Sequence, residues 1–398
     1  MPNYEYKAMD DQGFTSTGRV EVLNKKELET YLNERGLFLV SCSRGNMNFK
    51  LLNFGVRLKD IIIFSRQFSI LISAGIPLDE AIKTLSGFTN KPKLSSALKE
   101  IEMDLGRGIA LSEAMAKHHK VFKYFFISMI KVGEYSGELD TVLKRVAEFY
   151  EEEGKLSSKI RGALTYPIIL VGMIVAIIAF LMTNIIPTFQ DLFESLRIEL
   201  PFLTQFLVDV STFMRNYGII MILIISAFVY MLSRYYKTES GRYRGDTLLL
   251  RLPVISTVYT KVQTARFARS MNILLGSGIN IMQSFDIIDS LISNKVILER
   301  LRSCRESVSM GYSYSSSLEK MDFFPDIMIN MIAVGEKTGS LPEVFDKVSD
   351  FFDDEANEAI NNAVALVEPL MLMIAGAVIL VIFLAIMLPM FDIMNNIS

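Results

Sequence analysis

Two stretches of this chain carry no polar alternation at all. Ile168 to Ile186 and Leu370 to Met390 are apolar and hold no ionisable side chain. At about 1.5 Å per residue, each is long enough for a hydrocarbon layer roughly 30 Å thick. A third run, Tyr217 to Leu232, is shorter and spans only if Arg215, Asn216 and Arg234 reach toward the headgroups. Elsewhere the apolar positions are periodic. Ile62, Phe68, Leu71 and Ile72 recur at three- and four-residue steps up to Gly75, which predicts an amphipathic helix with a glycine cap. Pro77, Asp79 and Glu80 then open a further helix, the proline at its start and the acids near its positive end. The first fifty residues alternate instead: Tyr4 to Ala8 and Gly18 to Val22 read as strands around Asp11 and Gly13, Lys25 to Arg35 as a helix ended by Gly36, and Leu37 to Val40 as a third strand.

The pattern occurs twice. Phe64-Ser-Arg-Gln-Phe-Ser-Ile-Leu-Ile-Ser-Ala-Gly75 returns as Phe267-Ala-Arg-Ser-Met-Asn-Ile-Leu-Leu-Gly-Ser-Gly278, and Gly133-Glu134-x-x-Gly137-x-Leu139 returns as Gly335-Glu336-x-x-Gly339-x-Leu341. One copy closes on the apolar run between Pro167 and Pro187, the other on the run between Pro369 and Pro389. A unit of about six helices followed by a spanning helix has been used two times over. Ser112 after Gly108, echoed by Ser315 after Gly311, is a candidate N-cap within each unit. The copies differ at the first turn, where Asn280 stands in place of Pro77 and a rigid residue is lost.

Charge orients the spans. Lys155, Lys159 and Arg161 precede the first, and Arg234, Lys237, Arg242, Arg244 and Arg251 follow the second. Between them lie only Arg197 and Arg215, against Asp191, Glu194, Glu199 and Asp209. Cytoplasmic flanks carry the excess of Lys and Arg, so the connection belongs outside and both large hydrophilic regions inside. The third span, whose inner flank Asp350 to Glu368 has no basic residue, follows by parity and delivers Asp392 to Ser398 outside. Met1 to Asp10 is polar and mixed in charge, unlike a cleaved secretory signal. The 398 residues are 51% apolar with a net charge of −3, so no global basic field draws nucleic acid. Cys42 and Cys304 are too few for a disulfide framework or a metal knuckle.

Several clusters resemble chemistry. Gly335-Glu336-Lys337-Thr338 has the ending of a phosphate-binding loop, but Glu336 occupies the glycine position required directly before the lysine, no glycine stands five positions upstream of it, and a carboxylate there carries the wrong charge. A helix-to-helix turn is the better reading, with Gly133, Glu134, Gly137, Gly335, Glu336 and Gly339 as turn-forming or partner-contacting residues. Glu151-Glu152-Glu153 and Asp353-Asp354-Glu355 stand at matching places before the spans. Successive helical residues point about 100° apart, so neither triplet aims three carboxylates at one cation. They read as a solvated face or an acidic anchor for a partner, with weak cation binding shared between chains as the alternative. Tyr235, Tyr236 and Lys237 with Arg242, Tyr243 and Arg244 suit a lipid interface better than single-stranded nucleic acid. His118 and His119 are adjacent and face apart on a helix. No catalytic, cofactor or metal site is expected, and no nucleic-acid partner.

The ordered set resembles the inner-membrane platform proteins of bacterial type II secretion and type IV pilus systems, the GspF/PilC family. The carrying residues are Phe64 to Leu78, Gly108 to Met115, Gly133 to Leu139, Phe149-Tyr150 and Leu164-Thr-Tyr-Pro167 in the first copy, and Phe267 to Ile281, Gly335 to Leu341, Glu368-Pro369 and Leu388 to Phe391 in the second. The resemblance covers nearly the whole chain. It implies a mainly α, polytopic membrane protein of the bacterial inner membrane, with two homologous cytoplasmic helical bundles, three transmembrane helices and a small N-terminal α/β module. The boundaries are 1–55 for the module, 56–165 for the first bundle, 166–187 for the first span, 188–215 for a short periplasmic loop and 216–233 for the second span. Residues 234–368 form the second bundle, 369–391 the third span and 392–398 a periplasmic tail. It further implies a non-enzymatic role that couples a cytoplasmic hexameric assembly ATPase to polymerisation of pilin or pseudopilin subunits. Other inner-membrane assembly proteins and further copies of this chain would be partners. A repeat-built transporter is the competing reading, although carriers place polar or broken helices at mid-membrane, whereas the first and third runs offer only Thr183 and Asn184 near one end.

Overall fold

The computed structural model describes residues 3–9, 15–22, 25–33, 35–44, 55–89, 91–195 and 201–397. It divides into two compact units, Met1–Arg57 and Leu58–Ser398. In the first, strands β1 (Asn3–Met9), β2 (Thr15–Glu21) and β3 (Phe38–Arg44) form an antiparallel sheet in the order β2-β1-β3, with α1 at Lys25–Asn33. The expected α/β module is thus present, with β3 running past Val40 to Arg44; the expected turn at Asp11 and Gly13 lies outside the described residues. Ala8, Val22, Leu28 and Leu32 are its buried core, which alternation on the strands and a four-residue step on α1 place on facing surfaces.

The second unit begins with a bundle of six helices: α2 (Leu58–Ser73), α3 (Leu78–Phe88), α4 (Pro92–Gly106), α5 (Leu111–Ala116), α6 (Tyr124–Ser136) and the first part of α7 (Leu139–Phe180). Its core is aromatic, Phe64 and Phe122 lying 5.3 Å apart by ring centroids and Phe125 and Phe149 4.4 Å apart. α7 passes through a single π turn at Leu181–Ile185 straight into α8 (Ile186–Ser195). Then come α9 (Phe202–Tyr236) and α10 (Glu239–Arg251). The second bundle repeats the first with α11 (Pro253–Gly276), α12 (Ile281–Asp289), α13 (Lys295–Ser309), α14 (Tyr314–Glu319), α15 (Asp326–Thr338) and α16 (Leu341–Ile397).

The caps behave as the spacing predicts. The Gly75 and Ile76 N–H groups donate back to Ile72 and Leu71, and those of Gly278 and Ile279 to Leu275 and Leu274, closing α2 and α11 in the same way. At the following turn the second copy keeps its definition by another route, since the Asn280 side chain accepts from the Gln283 N–H at 2.9 Å where the first copy has Pro77.

Three helices are long and apolar enough to cross a membrane: Leu139–Phe193, Phe202–Tyr236 and Leu341–Pro389. Each run is only part of its helix. The segment 188–215, expected as a loop, is helical from Thr188 to Ser195 and again from Phe202, so the short middle run belongs to a 35-residue helix. The expected tail after the third run continues α16 to Ile397. Pro167, Pro369 and Pro389 lie inside helices and do not end them.

α7 and α16 run side by side in one direction. Leu156 and Ile160 pack with Ala356 and Ile360, and further on Ile178 and Met182 pack with Val378 and Ile382. The first part of α7 also faces α11 of the second bundle, with Arg266 Nε donating to Glu153 Oε1 at 2.7 Å and Arg145 Nη1 to Ser277 Oγ at 3.4 Å.

Candidate functional site

The repeated Gly-Glu motif joins three helices. Glu134 lies in the last turn of α6, and its carboxylate accepts the N–H of Leu111 at 2.5 Å and of Ser112 at 3.0 Å. Those are the first two donors of α5, whose preceding residue, Ala110, has no side chain able to cap. Gly133 is buried where α7 turns back on α6; a Cβ there would sit 3.1 Å from Leu139 Cα and 3.2 Å from Val142 Cβ. Gly137 ends α6 with φ of 73°, a left-handed conformation that other residues adopt only with strain. Every residue type in Gly133-Glu134-x-x-Gly137-x-Leu139 therefore has a role: close approach, capping of a distant helix, chain reversal and closure.

The second copy repeats the arrangement. Glu336 accepts from Tyr314 N–H at 2.5 Å, Ser315 N–H at 3.0 Å and Ser315 Oγ at 2.7 Å. Gly335 lies against Val344, with a Cβ position 2.8 Å from Val344 Cγ2, and Gly339 has φ of 73°. Burial alone would raise the Glu336 carboxyl pKa, but the donors from Ser315 and Tyr314 outweigh it and hold the value below its usual one. Ser112 and Ser315, expected as N-caps, are instead second residues of their helices, and a glutamate from a later helix receives their N–H groups. In α14 the cap is Ser313, whose hydroxyl accepts from the Ser316 N–H. Gly335 to Thr338 is the closing turn of α15, with the Thr338 hydroxyl bonded back to Val334 O at 3.0 Å.

The acidic triplets are separated by the helix as expected, and basic residues of this chain meet most of them. Arg66 reaches Glu151 at 2.8 Å, Lys155 reaches Glu152 at 2.6 Å, and Arg266 crosses from the second bundle to Glu153. In the second copy Arg269 holds Asp353 and Lys261 holds Glu355, while Asp354 faces solvent. Burial raises the Asp353 pKa in spite of the Arg269 guanidinium. Among the described residues no group of three or more His, Cys, Asp or Glu side chains could hold a metal ion.

In the apolar region the prolines create a need that α9 meets. At the π turn the Ile186 N–H donates to Leu181 O, and Pro187 has no N–H, so neither residue supplies a donor to Met182 O. The Ser211 hydroxyl of α9 donates to that carbonyl. Pro389 likewise leaves Ala385 O, four residues back, without its helical donor, and the Thr204 hydroxyl of α9 donates to it at 2.6 Å. Hydroxyls that satisfy proline-freed carbonyls permit prolines in apolar helices. Around the two bonds, Met182, Ile186, Leu207, Val208, Ile382 and Ala385 form a buried cluster. The polar pair in the first run stays local, Thr183 and Asn184 bonding to Ala179 O and Phe180 O. The basic and aromatic residues at the end of α9 and in α10 brace the neighbouring helices: Tyr236 OH donates to Asp246 at 2.8 Å, and Arg242 donates to Ser293 O at 2.6 Å. Sequence reasoning missed the α9 hydroxyls; two prolines at matching places, twenty residues after Pro167 and Pro369, were the available signal.

These features define a membrane scaffold built from two copies of a helical bundle, each continuous with an apolar helix. The family model for type II secretion system protein F matches twice, at residues 64–187 and 267–389, and the chain belongs to that family. A type IV pilus assembly protein PilC of Thermus thermophilus is 36% identical over 405 residues, covering 100% of both chains. A type II secretion system protein F of Vibrio cholerae is 30% identical over 403 residues, covering 100% of this chain and 99% of its own, and a PilC of Myxococcus xanthus is 30% identical over 99% of this chain and 95% of its own.

Proposed function

We propose that this protein is a non-enzymatic platform in the inner membrane of a pilus or secretion machine, with both bundles and the N-terminal module in the cytoplasm and the end of α16 in the periplasm. Its bundles engage the cytoplasmic assembly ATPase, and its apolar helices face the pilin or pseudopilin subunits that enter the filament. The observation that carries this reading is the pair of unbroken helices, α7 and α16, each of which leaves a bundle and continues through an apolar run. A helix resists bending along its axis, so a displacement imposed on a bundle passes to the apolar layer without being absorbed in a loop. The relatives named for pilus assembly and for type II secretion support the same reading.

The test is to interrupt the rods. A flexible Gly-Ser-Gly-Ser insertion after Arg161 in α7 and after Asn362 in α16 should leave co-purification with the ATPase intact and abolish filament assembly. Unchanged assembly with both insertions would refute the coupling. Cysteine labelling from outside intact cells should miss positions in either bundle; labelling of either would refute the orientation. We further propose that the Gly-Glu residues build the bundles and contact partners only through the surfaces they hold in place.

A further inference from the structure

Beyond the packing of α7 along α16, the contact between the two bundles joins different faces: the first bundle contributes α6 and α7, and the second contributes α11 and α12. On α11 the face involved is the stripe Arg266, Ser270, Ile273 and Ser277. Arg266 and Ser277 bind Glu153 and Arg145 of the first bundle, and Ser270 and Ile273 are 1% and 8% exposed. On the opposing side Phe125 and Phe149 are 0% and 2% exposed.

The repeat supplies both halves of this contact a second time, and both are open. The first-copy counterparts of the α11 stripe are Ile63, Gln67, Ile70 and Ala74 on α2; all four are exposed, Ile63 at 47% and Ile70 at 59%. The second-copy counterparts of Phe125 and Phe149 are Ile327 and Phe351, exposed at 47% and 40%, with Val334 beside the Gly-Glu motif at 60%. A cleft bounded by Ile63, Phe64, Gln67, Leu85 and Phe88 has a volume of about 270 Å³ in the first copy. The corresponding cleft of the second copy, at Arg266, Phe267, Ser270, Ile288 and Leu291, has a volume of only about 10 Å³, and Arg266 at its edge reaches across to Glu153 of the first bundle.

An interface that joins two different faces of a repeated unit leaves one of each unmatched, and it propagates to the next unit. The internal ion pair is not repeated on the open faces: Ile63 stands in the place of Arg266, and Glu355, the counterpart of Glu153, is held by Lys261 of its own bundle. α7 and α16 run parallel, so the operation relating the bundles preserves the direction of the apolar helices. Repeating it keeps the spans of a second chain in the same membrane. We propose that the α15/α16 face of one chain docks onto the α2/α3 face of a second copy, repeating between chains the contact that joins the bundles within one.

The internal pair Arg145 and Ser277 fixes a cross-linking test, because its counterparts are Lys347 and Ala74. In full-length protein carrying Cys42→Ser and Cys304→Ala, two differently tagged chains, one Ala74→Cys and one Lys347→Cys, are co-expressed and oxidised in native membranes. The expected product is a disulfide-linked dimer containing both tags, with neither substitution alone linking to itself. In detergent, Ile70→Asp or Val334→Asp should shift the mass of the protein to monomer without lowering its melting temperature, since both side chains are exposed in the single chain. Self-linking of Ala74→Cys alone, absence of the mixed dimer, linking of either position to a different protein, or an unchanged mass in both variants would overturn the proposal.

Discussion

The first bundle is covered where the second is bare. Phe149 and Phe351 occupy the same place on the last helix of their copies, yet one is 2% exposed and the other 40%. The same inequality holds on α2 and α11, but in reverse, with Ile70 open and Ile273 buried. Two units with the same internal plan thus have different surfaces because one meets a neighbour through one face and the other through a second. The lesson is that duplication preserves the inside of a unit more faithfully than its outside. The glutamate caps, the left-handed glycines and the close approach of the closing helix recur with nearly the same distances, whereas surface residues change with what each copy touches.

The strongest way to break this comparison is at the paired phenylalanines. Phe149→Ala should cost about 3–5 kcal/mol, the usual range for a large aromatic lost from a core, whereas Phe351→Ala in a monomeric sample should cost about 1 kcal/mol or less. Denaturation of the detergent-solubilised protein measures both, and equal losses would show that the copies are not differently covered. Next are the hydroxyls on α9. Ser211→Ala and Thr204→Val each leave a proline-freed carbonyl unsatisfied in an apolar cluster and should cost about 1–3 kcal/mol. A double variant with Pro187→Ala should recover part of the Ser211→Ala loss, because an alanine can restore the missing helical donor.

The glutamates sharpen the comparison at a smaller scale. Glu134→Ala and Glu336→Ala should each lower stability by about 0.5–2 kcal/mol. Glu336→Ala should cost more, since it also strands the Ser315 hydroxyl. Loss of ATPase binding at an unchanged melting temperature would instead make these residues direct partner contacts. The smallest effects are those of pH within the second bundle, where two carboxylates have opposite signs. Glu336 has a folded pKa below its usual 4.5, so its stabilisation is fully present above 4.5 and is lost as pH falls through the lowered value. Asp353 has a folded pKa above its usual 3.8, so its contribution is fully present below 3.8 and is lost as pH rises through the raised value. Melting curves of Glu336→Gln and Asp353→Asn should both lie nearest the parent at acid pH, where each carboxyl is protonated like the amide that replaces it; as pH rises the parent should gain stability relative to Glu336→Gln and lose it relative to Asp353→Asn.

The sequence by itself determined the repeat, the three apolar runs, the α/β module and the turns at Gly75, Gly137, Gly278 and Gly339. Each of these depends on local composition, period or backbone geometry, which neighbouring residues specify without reference to the rest of the fold. It did not reveal that Glu134 caps α5 across 23 residues, that the connection at 188–215 is mostly helix, or that Ser211 and Thr204 serve carbonyls freed by prolines on two other helices. Only the tertiary structure decided those, together with which face of each bundle is covered. A carboxylate, a hydroxyl or an apolar stripe acquires its partner when the chain returns to it in space, and the distance along the sequence carries no record of that return.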